Sequence, residues 1–282
     1  MEQVKKVKPD SDNADPQLWS LSLNGSATET IVLLHGLGTS HNEWRLVWPY
    51  LTAYHLLVVD LAGHSGSSSM RPTAIPAQVE HVAALIRSKA RGGTAHVVGL
   101  SMGGFVAVEL ARTHPQLVRS AFATGAAPFT GIRMWAAKHP QVLGVMNTVM
   151  SSRILQGVAS WLDEMAWSAQ GLTVPEELKL DMKGNKSSEV TIEVFSSFVD
   201  IKLDGMEKVV ARTLVVAGGR MDDVAATKSQ GAALRIGCPE SKAAVVKDAY
   251  HPWNLQLPEL FAQGILCWVE QRELPKEFEE LV

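Results

Sequence analysis

Short apolar runs rich in β-branched residues alternate along this chain with longer segments whose apolar positions recur every third or fourth residue. The first pattern predicts strands buried on both faces, the second amphipathic helices. Strands are expected at residues 17–23, 30–34, 55–59, 96–98, 117–123, 213–217 and 243–246, and helices at 42–51, 76–89, 102–114, 225–236 and 258–269. Strand and helix in alternation imply a mostly parallel sheet covered on both faces, an α/β fold. The alternation stops between about Pro128 and Glu207, where only helical patterning is found. There Thr173 and Glu176, with Pro175 between them, read as a capping box, and Val194, Phe195 and Phe198 share one helical face. The expected organisation is a polar tail over 1–16, a core made of 17–127 and 208–282, and a helical lid over 128–207.

Composition narrows the function classes. With 282 residues, 46% of them hydrophobic, the chain can bury a large core. A net charge of -3 and the lack of a Lys/Arg cluster argue against nucleic acid or an anionic membrane as partner. No apolar run approaches the ~18 residues of a membrane span. The N-terminal stretch MEQVKKVKPDSDNADP lacks the apolar centre of a secretory signal. The two cysteines, Cys238 and Cys267, offer neither a disulfide framework nor metal-ligand spacing. A cytoplasmic location and no metal or cofactor are therefore expected, and oligomeric state is left open.

The chemistry is concentrated at the ends of the predicted strands. Gly99-Leu100-Ser101-Met102-Gly103 lies between a buried strand and a helix. A serine on such a strand-to-helix turn is exposed for attack, with helix N–H groups beside it. His35-Gly36-Leu37-Gly38 follows an earlier strand, and its glycines allow backbone N–H groups to turn toward a carbonyl. Asp60-Leu61-Ala62-Gly63-His64 follows the next strand, and His64 reads as a structural turn residue. Asp222 and Asp223 close a later strand and compete for one role, while His251 follows the last strand and precedes the last helix.

Five such motifs in this order resemble the α/β-hydrolase fold, in its lid-bearing esterase and lipase form. The resemblance spans about residues 17–271 and departs from it at Ala62 and Ser65, where proline and glycine are common. It implies Ser101 as nucleophile, His251 as base and Asp222 as the acid that orients it, with Asp223 capping the following helix. It implies Leu37 and Met102 as backbone oxyanion donors. His35, Gly36, Trp135, Trp161, Trp167 and Trp253 are expected around the substrate, with Met134, Met146, Met150 and Met165 adding apolar bulk to the lid. The expected substrate is a hydrophobic small molecule with an ester, lactone or related acyl bond. A receptor, a cyclase or lyase, or a carbon–carbon bond hydrolase would share the same motifs.

Overall fold

The computed structural model describes residues 17–142, 145 and 156–282, with the backbone alone for 156–161. The expected tail, and Met146 and Met150, lie outside the described residues. The strands are β1 (Ser20–Leu23), β2 (Thr30–Leu34), β3 (His55–Val59), β4 (Ala95–Leu100), β5 (Val118–Thr124), β6 (Thr213–Gly218), β7 (Lys242–Val246) and β8 (Glu279–Glu280). They form one sheet in the order β1-β3-β2-β4-β5-β6-β7-β8. β1 and β8 run antiparallel at the two margins, and every pairing between them is parallel.

Why the inner strands carry no polar alternation is plain from their side chains. Val32 and Leu34 point into one hydrophobic cluster, Ile31 and Leu33 into another on the opposite face. Each such side chain taken fully from water contributes roughly 1.5–3 kcal/mol, more than a typical net hydrogen bond, so burial on both faces fixes the position of the sheet. Helices α1 (Ile75–Lys89) and α2 (Met102–Thr113) lie in the first cluster. α8 (Pro258–Val269) packs in the second, beside the fully buried Trp44.

Between β5 and β6 the described residues form helices and no strand: α3 (Gly131–Lys138), α4 (Gln156–Ala169), α5 (Glu176–Gly184) and α6 (Ser188–Ser197). α7 (Val224–Gly237) follows β6. α6 buries Val190 and Val194 against the first cluster, and Phe195 and Phe198 meet at 5.4 Å between ring centroids.

Two expectations need correction, and one strand was not expected at all. Residues 42–51 are not one α-helix but two short 3₁₀ turns, His41–Trp44 and Trp48–Tyr50. Pro49 in the second turn has no N–H to continue a helical ladder. Nor is there a capping box at Thr173: its N–H bonds Leu255 O at 2.9 Å, and α5 starts after Pro175 with no side-chain cap. The edge strand β8 has only two glutamates and no apolar pattern to announce it.

Candidate active site

Ser101 stands at the C-terminal end of β4, in the middle of the sheet, with φ 53° and ψ -117°. A non-glycine residue there carries strain of about 1–3 kcal/mol, so its surroundings must hold it. They do: Ser101 N–H donates to Thr124 O at 2.8 Å, and Phe105 N–H to Ser101 O at 3.0 Å. The turn is too tight for side chains on either side. A Cβ on Gly99 would lie 2.1 Å from Gly103 O, and one on Gly103 2.2 Å from Leu34 O. Among the described residues the Ser101 hydroxyl has no hydrogen-bond partner, which leaves it open toward the cavity it lines.

His251 comes from the loop after β7 and Asp222 from the loop after β6. His251 Nδ1–H donates to Asp222 Oδ1 at 2.6 Å, and Asp222 Oδ2 accepts Gly218 N–H at 2.7 Å. The carboxylate is sealed at 2% side-chain exposure whereas the imidazole keeps 31%, so the ring's far edge faces outward. Asp223 points elsewhere. Its Oδ1 accepts Ala226 N–H at 2.9 Å as the N-cap of α7, and its Oδ2 accepts the Thr130 hydroxyl. The bond from Ala226 holds its carboxyl below the usual range. Gly125 makes room for the ring: at φ 62°, a Cβ there would sit 2.5 Å from His251 Cε1.

In the loop after β2 the N–H groups of both glycines are taken by side chains. Gly36 N–H donates to Glu43 Oε2 at 2.7 Å, and Gly38 N–H to His64 Nε2 at 3.0 Å. His35 Nε2 accepts Leu61 N–H at 3.0 Å while its Nδ1–H donates to Gly36 O at 2.6 Å. His64 Nδ1–H likewise donates, to Ala62 O at 3.1 Å, so each imidazole accepts on one nitrogen and donates on the other, and both are neutral. Burial, more than any neighbouring charge, pushes His35 down to about 3 and lowers His64 as well. Leu37 N–H, between these anchored glycines, has no partner among the described residues, and neither does Met102 N–H at the start of α2. Two free donors beside Ser101 are what a developing oxyanion needs.

Two cavities meet at Ser101, His251 and Leu37. One, of about 310 Å³, is aromatic, walled by Phe105, Phe129, Phe195 and Phe198. The other, of about 210 Å³, is aliphatic, walled by Leu100, Trp167, Leu172, Leu178 and Met182, with Glu43 on its floor. A larger groove of about 640 Å³ lies at the other end of the sheet, by His96 and Arg212, and touches none of these residues.

Residues 31–263 match the model of the family described as "Alpha/beta hydrolase family". The chain belongs to the alpha/beta hydrolase family. Among curated members it is 32% identical over 257 residues to an AB hydrolase superfamily protein of Gibberella zeae, covering 89% of this chain and 83% of that one. It is 23% identical to Lipase 1 of Psychrobacter immobilis, covering 88% and 82%. A pimeloyl-[acyl-carrier protein] methyl ester esterase of Aeromonas hydrophila is 29% identical over 50% of this chain and 55% of its own length. Among solved structures, a hydrolase from Pseudomonas aeruginosa superposes with a TM-score of 0.68 at 22% identity, covering 86% and 90% of the two chains. At that identity the likeness speaks for the alpha/beta hydrolase fold alone.

Of the residues expected around the substrate, Gly36 and Trp167 line the aliphatic cavity. Three others do not serve there. His35 is wholly buried and spent on the loop backbone. Trp253 is also fully buried, its indole N–H donating to Thr124 Oγ1 at 2.9 Å and its ring 4.2 Å from Phe261, so it supports the site from beneath. Trp135 is 49% exposed and stacks on His139 instead. Met165 likewise faces out, and the side chain of Trp161 lies outside the described residues. The sequence reading missed Glu43, Gly125 and the four phenylalanines. Only Phe195 and Phe198 left a signal, as neighbours on one helical face.

Proposed function

We propose that the protein is a serine hydrolase that cleaves an ester, lactone or related acyl bond of a hydrophobic small molecule. The observation that carries this reading is the His251–Asp222 bond of 2.6 Å beside a strained Ser101 that shares both of its cavities with that histidine. Ser101 Oγ attacks the acyl carbon as His251 Nε2 takes its proton. Asp222 keeps the proton on Nδ1, so that Nε2 is the basic nitrogen, and stabilises the imidazolium. Leu37 and Met102 N–H groups receive the oxyanion. The imidazolium returns its proton to the leaving oxygen, an acyl-serine remains, and water activated by the same histidine releases the acid.

The two cavities support a substrate with apolar bulk on both sides of the scissile carbonyl, one part able to lie among four phenyl rings. Arg133 reaches the aromatic side but its guanidinium donates to Met221 O at 2.6 Å, so it is already engaged. Residues 128–207 act as a lid whose helices supply walls to both cavities.

The test is turnover of p-nitrophenyl esters together with covalent labelling by a fluorophosphonate. Ser101→Ala should abolish both, with a loss on the order of 10⁶-fold in kcat, while the protein still melts cooperatively. Activity kept within tenfold would refute the nucleophile.

A further inference from the structure

Glu43 is an uncomfortable residue. The residue is 2% exposed, on a 3₁₀ turn of four residues, against a cavity whose walls are mostly apolar, with Thr39, Ser101 and His251 the other polar side chains. Burial pushes its carboxyl up to about 7, which shows how little solvation the site returns to it. A carboxyl in that setting needs a compensating task, and its bonds indicate one.

Glu43 joins the two loops that flank Ser101. Its carboxyl Oε2 accepts Gly36 N–H at 2.7 Å, the amide directly before Leu37. Its backbone carbonyl accepts Asn254 Nδ2–H at 3.0 Å, three residues after His251. The turn that carries it is itself fixed: Ser40 Oγ accepts Asn42 N–H at 3.1 Å, His41 N–H donates to Asp60 Oδ1 at 2.8 Å, and Trp44 is fully buried. On the other side of Leu37, His64 holds Gly38. The peptide planes on either side of the one that contains Leu37 N–H are thereby gripped, one of them by Glu43 and the other by His64, while the Gly36 carbonyl of the middle plane accepts His35 Nδ1–H at 2.6 Å and the Thr39 hydroxyl at 2.9 Å.

We propose that Glu43 is a positioning residue for the oxyanion site, its carboxyl fixing Gly36 so that Leu37 N–H points at the tetrahedral intermediate. The inference rests on the serine-hydrolase reading, in which Leu37 is a donor. It requires an acceptor at Glu43 rather than a charge, since a neutral carbonyl oxygen would accept the same N–H. It also separates transition state from ground state: a misaimed Leu37 N–H weakens oxyanion binding, whereas the apolar cavity walls that bind the ester are unchanged.

The experiment compares wild type, Glu43→Leu and Glu43→Gln on one p-nitrophenyl ester, with active sites counted by fluorophosphonate and folding followed by thermal melting. Glu43→Leu should lower kcat per active site on the order of 10²-fold, the scale of a lost oxyanion donor, with KM changed less than about threefold. Its affinity for a boronic acid that forms a tetrahedral adduct should fall in step with kcat. Glu43→Gln, which keeps an acceptor, should recover most of the lost kcat. The proposal is overturned if Glu43→Leu retains kcat, if KM rises while kcat holds, or if Glu43→Gln is as damaged as Glu43→Leu. Should Glu43→Leu fail to melt cooperatively, the near-isosteric Glu43→Gln decides: a kcat loss beyond tenfold overturns the proposal, a smaller one with unchanged boronate affinity supports it. A wild type neither labelled nor active overturns the hydrolase reading and this inference together, whereas an active, labelled wild type with an insensitive Glu43→Leu overturns this inference alone.

Discussion

Two adjacent aspartates with opposite orientations show how much one position decides. Asp222 is turned inward to His251 and Gly218, Asp223 outward to Ala226 and Thr130. Their substitution by asparagine should therefore separate cleanly. In Asp222→Asn the amide can present an N–H to His251 Nδ1 and so favour the wrong tautomer, costing about 10⁴-fold in kcat, or roughly 5 kcal/mol of barrier. In Asp223→Asn the amide oxygen still accepts Ala226 N–H, and asparagine caps a helix about as well as aspartate, so kcat should stay within a few-fold. Steady-state kinetics of the two variants settle the matter, and a reversed order would move the acid by one residue. The chain itself does not distinguish these neighbours beyond a count from Gly219. Their directions depend on where the end of β6 meets the start of α7, a property of the packed structure.

At the scale of elements, α5 is bound to the core by polar contacts rather than by a large apolar face. Asn185, at its C-terminal end, accepts Ser65 N–H at 2.8 Å and donates to Thr39 O at 2.7 Å. Asp181 accepts from the Ser40 hydroxyl at 2.5 Å and from Asn42 Nδ2 at 2.8 Å. These bonds reach the loops after β2 and β3, which hold the Leu37 amide in place. Asn185→Leu would leave a partly buried N–H and C=O unpaired, so unfolding in urea should show a loss of about 1 kcal/mol, up to about 3 if water cannot reach them. An unchanged midpoint would mean that water replaces both bonds. None of this was legible beforehand, because polar residues on a helix read as a solvated face. What was legible follows the strength of periodicity. β2, β3 and α8 have the expected bounds, because buried strands and a strongly apolar helix need no partner to be recognised. Residues 42–51 misled, since their apolar spacing is shared by two 3₁₀ turns packed around Trp44.

Over the whole molecule, the residues proposed for the chemistry gather where the parallel strands end, and segments between β5 and β6 contribute walls to the two cavities there. The motifs that mark this end could be read from short stretches of chain, because each is a local turn. Contributions to the cavities could not, since Phe105, Phe129 and the Phe195–Phe198 pair come from three places in the sequence and Glu43 lies in a run that reads as an amphipathic helix. The same division has a consequence for handedness. Ser101 opens onto two rooms of unequal size and different character, about 310 Å³ lined by phenyl rings and about 210 Å³ lined by alkyl groups. With its alcohol part in the alkyl room, an ester chiral at its α-carbon sets its aryl group among the phenyl rings comfortably in only one of its mirror-image forms; the other must turn a different substituent toward them, or tilt the carbonyl away from Leu37 and Met102. Misfitting even one or two methylenes is worth about 1–3 kcal/mol, so the enantiomers of an α-branched aryl ester should differ by tenfold or more in kcat/KM. Chiral chromatography of a half-converted racemate would measure it. A racemic residue would show the two rooms acting as one, whereas an enriched one would make this protein a resolving agent.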